Sequence, residues 1–364
     1  MSYLIDFIKE NPDWRELLAK EPYCLKIKDE DNYTLFMYNQ LCSDFYNPIV
    51  KEARGIILDL TGKEPRVVCR AFDKFGNYGE GYVDSIDWSS AVVQEKVDGS
   101  IMKLWFDKGS WHVSTNSCIN AFNAQLSNSK ITFGKLFTQA FPSDKINQLD
   151  TDYTYIFELV SPYNRVVINY GSDTKLYLLG KRNNKTGFEE IPEDLGIAKP
   201  DTYPLSSLEE CIEAANALND NEEDIQYEGF VVVDEAFHRV KIKSPYYVAR
   251  HHILTKTPSL EDLVLVYLRH EQEEFLTYFP AYTHPLNLIY FFFSDLDYYM
   301  FKARLDWNNM NKDRKAFAIK YKNHPFTHFY FDAIKNEDWS IERVKNLSTA
   351  ELARFIKNYY GGNI

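Results

Sequence analysis

No stretch of the 364 residues stays apolar for anything near the roughly 20 positions that a membrane-spanning helix needs; the longest run, Leu286 to Phe293, is broken by Asn287. The opening MSYLIDFIKENPDW carries acids early and lacks the apolar core of a secretory signal, so export is not expected. Cysteine is scarce and scattered: Cys24, Cys42, Cys69, Cys118 and Cys211 form no C-x-x-C pair, which excludes a disulfide framework and a zinc site as expectations and favours a reducing, cytoplasmic location. Positive charge is also short. A net charge of −12 excludes the mode in which a basic protein grips a polyanion over its whole surface. The shortage is uneven, however. Pro200 to His238 has no Lys or Arg, whereas Ala236 to Lys256 has no acid but holds Arg239, Lys241, Lys243, Arg250 and Lys256, and Lys302 to Lys322 is basic again. An anionic ligand must be drawn by these local cations rather than by the net charge.

Apolar side chains are plentiful, at 45% of the chain with 16% aromatic, enough to give each of two domains a core. Up to about residue 250 the recurring signal is a short β-type run bounded by turn residues: GIILDL, RVVCRAF, SAVVQEKV, SIMKLWF, YTYIFELV, RVVINY, KLYLLG, EGFVVVD and HRVKIK. Few helix-length segments separate them, which predicts antiparallel strands joined by hairpins. One helix is expected at Ser207 to Leu218, where Ser207 and Glu210 have capping-box spacing. Beyond residue 250, EDLVLVYLRHEQEEFL, LNLIYFFFSDLDYYMFKARL and IERVKNL have helical spacing, and Ser348 with Glu351 forms a second capping-box pattern before ELARFIKNYY. The fold expected is α+β: a domain of antiparallel sheets over 1–250 followed by an all-α domain over 251–364. The aromatic group Tyr290, Phe291, Phe292, Phe293, Tyr298 and Tyr299 is expected mostly in the helical core.

The stretch EKVDGSIMKLW places Lys96 two residues from Asp98-Gly99, between two predicted strands. Taken alone this is an ordinary hairpin turn with an exposed lysine. Four other polar groups interrupt apolar strands of the same domain: Arg54 before Gly55, Glu158 within YIFELV on the face of Ile156 and Val160, Glu228 before Gly229, and Lys241 with Lys243 on one face of VKIKS. Together they predict a polar site assembled in the sheets. Such a site suits a nucleoside triphosphate. Lys96 is the candidate nucleophile, activated by neighbouring cations that lower its proton affinity. Arg54, Lys241 and Lys243 are placed to stabilise phosphate charge, and Glu158 and Glu228 to hold a metal or a ribose hydroxyl. The chemistry implied is nucleotidyl transfer through a covalent lysyl-nucleotide.

The ordered set RG, KVDG, FELV, EGFV and VKIKS resembles the lysine nucleotidyltransferase superfamily of polynucleotide ligases and capping enzymes. EARGIILD, DKFGN, FELVSPYNRVVINY and VKIKSPYYV narrow the resemblance to the bacteriophage type 1 RNA ligases. It covers essentially the whole chain, strongest from about residue 50 to 250. It implies an ATP-grasp-like nucleotidyltransferase domain and ATP-dependent joining of RNA 5′-phosphate and 3′-hydroxyl ends, with Mg²⁺ or Mn²⁺, through lysyl-AMP and adenylylated RNA. It further implies RNA repair, with nicked tRNA as substrate, a monomer, and the cytoplasm of an infected cell if the gene is carried by a phage. By the same matching, Tyr38, Arg54 and Lys74 contact ATP, Leu179 and Val231 line the adenine slot, and Tyr247 supports ligation. The helical domain resembles the family's C-terminal domain, thought to help choose a tRNA-like substrate. Asn116 departs from the pattern, since this position usually carries a basic residue and an asparagine supplies hydrogen bonds but no charge. DNA ligases and mRNA guanylyltransferases append a barrel where this sequence shows helices. A small-molecule kinase would need a glycine-rich phosphate loop, and a non-catalytic RNA-binding module an aromatic strand of the RNP type; neither is seen.

Overall fold

The strand Tyr153–Val160 is buried along nearly its whole length, which explains why its sequence is almost continuously apolar. Tyr155, Phe157 and Leu159 pack on one side against Leu136 and Phe137 of the helix Phe133–Ala140. Ile156 packs on the other side against Ala71 and Phe72. The computed structural model describes residues 2–40, 42–126, 130–218, 226–252 and 258–361, with 249–252 described by backbone alone. Two compact units result, Met1–His251 and His252–Ile364. Lys256 lies outside the described residues.

Among its described residues the first unit carries three antiparallel sheets. One contains β1 (Lys26–Glu30), β2 (Tyr33–Met37), β3 (Arg54–Asp59) and β4 (Arg66–Cys69) in chain order. The next strand, β5 (Val92–Glu95), belongs elsewhere. A five-stranded sheet takes β6 (Ser100–Asp107), β7 (Ser110–Thr115), β8 (Tyr153–Val160), β9 (Lys175–Asn183) and β10 (Glu189–Glu190) in the order β10-β9-β8-β6-β7. The last three strands, β11 (Thr202–Tyr203), β12 (Gly229–Val233) and β13 (Arg239–Lys243), join β5 in the order β11-β5-β12-β13.

This arrangement overturns one expectation directly. The strands β5 and β6 do not form a hairpin around Asp98-Gly99; they lie in different sheets, so Lys96 to Gly99 is a crossover. The reason is Asp98. Its carboxylate is buried and accepts from the backbone N–H groups of Val167 (2.9 Å) and Ile168 (2.8 Å) and from the Tyr247 hydroxyl (2.8 Å). The same bonds account for a second difference. RVVINY forms no strand, because two of its amides serve Asp98 and the Tyr170 hydroxyl accepts from the Asp98 N–H at 2.8 Å. The helix Leu208–Ala217 is capped by Ser207 as expected, but Glu210 reaches past Ser207 to the Ser206 N–H, so the box is not reciprocal. The helix Tyr3–Glu10, capped by Ser2, was not anticipated, nor was Pro48–Glu52, capped by Asn47.

The second unit is all helix among its described residues: Leu260–Leu268, Gln272–Tyr278, Thr283–Asn309, Arg314–Tyr321, Thr327–Asn336, Ile341–Lys345 and Thr349–Tyr359, with one short 3₁₀ turn. The Ser348/Glu351 box is reciprocal, as expected. The run EDLVLVYLRHEQEEFL is two helices, separated where His270 adopts a left-handed conformation. Phe292 and Phe293 lie in the core, and Tyr299 packs against it. Tyr290, Phe291 and Tyr298 do not; each is more than half exposed. Six aromatics within ten residues span more of a helix circumference than one core-facing stripe can absorb. No helix among the described residues is long and apolar enough to cross a membrane.

Gly229 is required by backbone geometry. Its φ is +138°, and a Cβ there would stand 2.2 Å from the Ile242 carbonyl oxygen on β13. Gly171 is also left-handed but has open space around it. We therefore expect Gly229→Ala to lower the first unit's thermal midpoint by about 4–8 °C, and Gly171→Ala by no more than about 3 °C, in differential scanning calorimetry.

Candidate active site

Three sheets converge on one cavity of about 290 Å³. The residue after β5, Lys96, is fixed by its own N–H, which donates to the Gly229 carbonyl at 2.8 Å. The crossover then carries the chain into β6, so the Lys96 side chain stands at the seam between two sheets. Its Nζ lies 2.7 Å from Glu228 Oε2, and Lys243 Nζ lies 3.7 Å from Glu228 Oε1. Glu228 is held beside both lysines because Gly229 pairs in register with Lys243. The alternation of β13 sends Lys241 the same way as Lys243, and its amine lines the cavity. Burial pushes the Lys241 amine well below the ordinary lysine range, helped by the positive charges of Lys74, Arg54, Lys96 and Lys243.

On the opposite wall, Glu158 faces inward from β8. Burial raises its carboxyl to about 7, against the pull of Lys96 and Arg54 and with the push of Glu228 and Asp98. Arg54 opens β3, and its guanidinium lies 5.0 Å from the Phe75 ring centre. Lys241 Nζ approaches the same ring at 4.7 Å. Phe75 thus holds two cations apart while giving each a favourable aromatic face. The segment around it is pinned to β13, with Tyr78 N–H donating to the Lys241 carbonyl and Lys241 N–H to the Gly76 carbonyl. Two polar atoms on the walls, Arg54 Nη1 and Asn116 Oδ1, are buried without a hydrogen-bond partner among the described residues. A donor and an acceptor left open in this way suit an anionic group and a hydroxyl.

Of the residues expected from sequence, Arg54, Lys96, Asn116, Glu158, Leu179, Val231 and Lys241 all line this cavity. Glu228 and Lys243 join it through the ion pairs with Lys96 and with each other. Tyr38 and Lys74 are not among its walls. Lys74 is buried rather than solvated, with its amine 4.9 Å from the Phe45 ring, 5.4 Å from Tyr38 and 5.8 Å from Tyr82. Tyr247 is buried against Asp98, so what it does for the site passes through the crossover. Phe75, Gln94 and Arg239, to which the sequence reading gave no place in the site, also line the cavity. Arg239 had a usable signal: it shares the face of Lys241 and Lys243. Its guanidinium lies 4.0 Å from the Phe72 ring centre, and it pairs with Glu189 at 2.7 Å.

The arrangement offers an amine, several cations, two carboxylates and an apolar slot around one open cavity. Comparison with known proteins bears on what uses it. A family model described as RNA ligase matches residues 52–247, the span that holds every residue of the cavity. The chain is 32% identical, over 71% of its length, to a protein of Autographa californica nuclear polyhedrosis virus described as a bifunctional polynucleotide kinase/RNA ligase, of which it spans only 40%. It is 26% identical to the RNA ligase of Rhodothermus phage RM378 across 94% of both chains, helical unit included. Among solved structures, an archaeal ATP-dependent RNA ligase aligns over 75% of this chain and 73% of its own at 15% identity and a TM-score of 0.47, too loose to bear on the site. With the matched span covering more than half of its length and the whole of the cavity, the chain belongs to the bacteriophage-type RNA ligase family.

Proposed function

We propose that the protein is an ATP-dependent RNA ligase that works through a covalent AMP on Lys96. The observation that carries this reading is the Lys96 amine, ion-paired to Glu228 in a cavity whose other cations surround the place a triphosphate would occupy. Lys96 Nζ attacks the α-phosphorus of ATP; the N–P bond forms as the bond to the β-phosphate oxygen breaks and pyrophosphate leaves. The amine must shed a proton to attack, and Glu228 Oε2 at 2.7 Å is the acceptor in place. Lys241 and Arg54 meet the charge that grows on the phosphate, from positions already paid for by folding. AMP then passes to the RNA 5′-phosphate, and the RNA 3′-hydroxyl displaces it to close the phosphodiester.

Among the described residues no group of three or more His, Cys, Asp or Glu is placed to hold a metal ion. Glu158 and Glu228 nonetheless fit magnesium or manganese, which is commonly held by one or two carboxylates together with substrate phosphates and water. When bound, the metal would offset triphosphate charge. Leu179 and Val231 form apolar wall suited to a purine. Tyr38 and Lys74 would meet ATP only at its outer end, beyond the cavity walls. We further read the natural substrate as RNA broken in a tRNA-like loop, a reading supported by the resemblance of the helical unit, and the enzyme as a cytoplasmic monomer.

Wild-type protein incubated with α-labelled ATP and Mg²⁺ should take up acid-labile, alkali-stable label. Lys96→Ala should take up none while still melting cooperatively. Label from GTP instead would turn the reading to capping chemistry. Ligation of a nicked tRNA anticodon stem-loop set against a nicked DNA duplex then tests the substrate class.

Glu158 makes a pH prediction with a definite sign. Its carboxyl is near 7 when folded and 4.5 otherwise, so the fold binds the extra proton between these values and loses stability as pH rises through about 7. Glutamine does not titrate. Without nucleotide or metal, Glu158→Gln should therefore gain stability over wild type on going from pH 5 to pH 8, by up to about 3 kcal/mol in denaturant titrations, while losing lysyl-AMP formation. A pH-independent difference would mean that Glu158 is solvated.

A further inference from the structure

Lys103 is the largest charged side chain in the fully buried interior, with no accessible surface. It sits on β6 opposite Ser114 on β7 and Ile156 on β8. Its Nζ donates to the Gly55 carbonyl, its sole hydrogen bond among the described residues, and no carboxylate pairs with it there. A lysine taken out of water without a counter-carboxylate is unfavourable, and a methionine of similar volume would fill the same space without that cost. Burial, with the charge of Arg54 behind it, holds the Lys103 amine below the ordinary lysine range.

The location of that one bond supplies a reason for the lysine. Gly55 has φ +77° and no room for a side chain: the point where its Cβ would stand is 2.6 Å from Asn116 O, 2.8 Å from Asn116 Cα and 2.9 Å from Lys103 Nζ. Lys103 and the backbone of Asn116 therefore close on Gly55 together. Both neighbours of this contact, Arg54 and Asn116, line the cavity, and each carries one of the two buried polar atoms on the cavity walls that have no hydrogen-bond partner among the described residues, Arg54 Nη1 and Asn116 Oδ1. A donor and an acceptor can stand open toward a ligand only if their backbones are held against collapse onto each other or onto the protein. The lysine is the side chain that reaches this backbone from beneath.

We propose that Lys103 is a positioning residue for the nucleotide: through the Gly55 carbonyl it holds Arg54 and Asn116 at the spacing that receives a phosphate and a ribose hydroxyl. It touches no substrate. The inference rests on the ligase reading for the identity of the nucleotide, and the experiment separates the two.

Lys103→Met removes the bond and keeps the volume. Its melting temperature should stay at or above that of wild type, while KM for ATP in single-turnover lysyl-AMP formation rises about tenfold or more. Lys103→Gln, which keeps a donor for Gly55, should recover most of that loss. A purely structural lysine would instead move the melting temperature and leave KM alone; a folded methionine variant with KM within about twofold of wild type overturns the proposal. If the methionine variant does not fold, the Lys103 Cε resonance of lysine-labelled wild type, assigned with the glutamine variant, should shift when a non-hydrolysable ATP analogue binds, and an unmoved resonance overturns it equally. Wild type that takes up no AMP at all would sink the ligase reading alone, and equilibrium ATP binding by the methionine variant against wild type would still judge Lys103.

Discussion

The site depends on a buried carboxylate that does not line the cavity. Asp98 accepts from two backbone amides and a tyrosine hydroxyl, and in doing so turns what would be a hairpin into a crossing between sheets. Three charge-assisted bonds to one buried group are hard to replace, because losing the acceptor would strand three donors away from water. The crossing matters because the two sides of the cavity lie in different sheets. Glu228, Lys241 and Lys243 come with β12 and β13, while Glu158 comes with β8. Lys96 sits on the short link between β5 and β6, which joins those two sheets, so it reaches both sets of partners.

Charge is the second constraint. A chain with a net charge of −12 places Arg54, Lys96, Lys241 and Lys243 around one small space, with Lys74 close behind. Their mutual repulsion is lowered by aromatic faces and by carboxylates: Phe75 serves Arg54 and Lys241, the cage of Tyr38, Phe45 and Tyr82 serves Lys74, and Glu228 serves Lys96 and Lys243. Partly buried in the cavity, these charges are screened less than they would be at the surface. That is why a few local cations are able to create a positive site on an acidic protein.

The residues that belong together were legible because each broke a local rule: a glutamate among YIF and LV, two lysines on one face of a strand, and an arginine and a glutamate each before a glycine. What stayed hidden are residues that break no rule. Phe75 is an apolar residue in a loop, and its role as a platform between two cations exists only in three dimensions. Lys103 is the exception, a lysine among SIM and LWF that breaks the same rule as Glu158, but nothing local says that β7 and β8 will enclose it from both sides. RVVINY has every composition cue of a strand, and it is not one because its amides are taken by a residue about 70 positions away.

The amino-acid sequence by itself determined most of the elements and the chemical cast: antiparallel strands up to about residue 250, helices after it, and a strand-end lysine, further cations and carboxylates in a fixed order. These follow from periodicity, turn residues and the cost of burying charge, all of which act over a few residues. Only the tertiary structure decided which strands share a sheet, that Lys96 stands on a crossover, that Lys74 is caged outside the cavity, and that half of the aromatic group on the longest helix faces outward. Those outcomes depend on long-range contacts, such as Asp98 with Tyr247 and Gly55 with Lys103, in which the partner's position along the chain leaves no local trace.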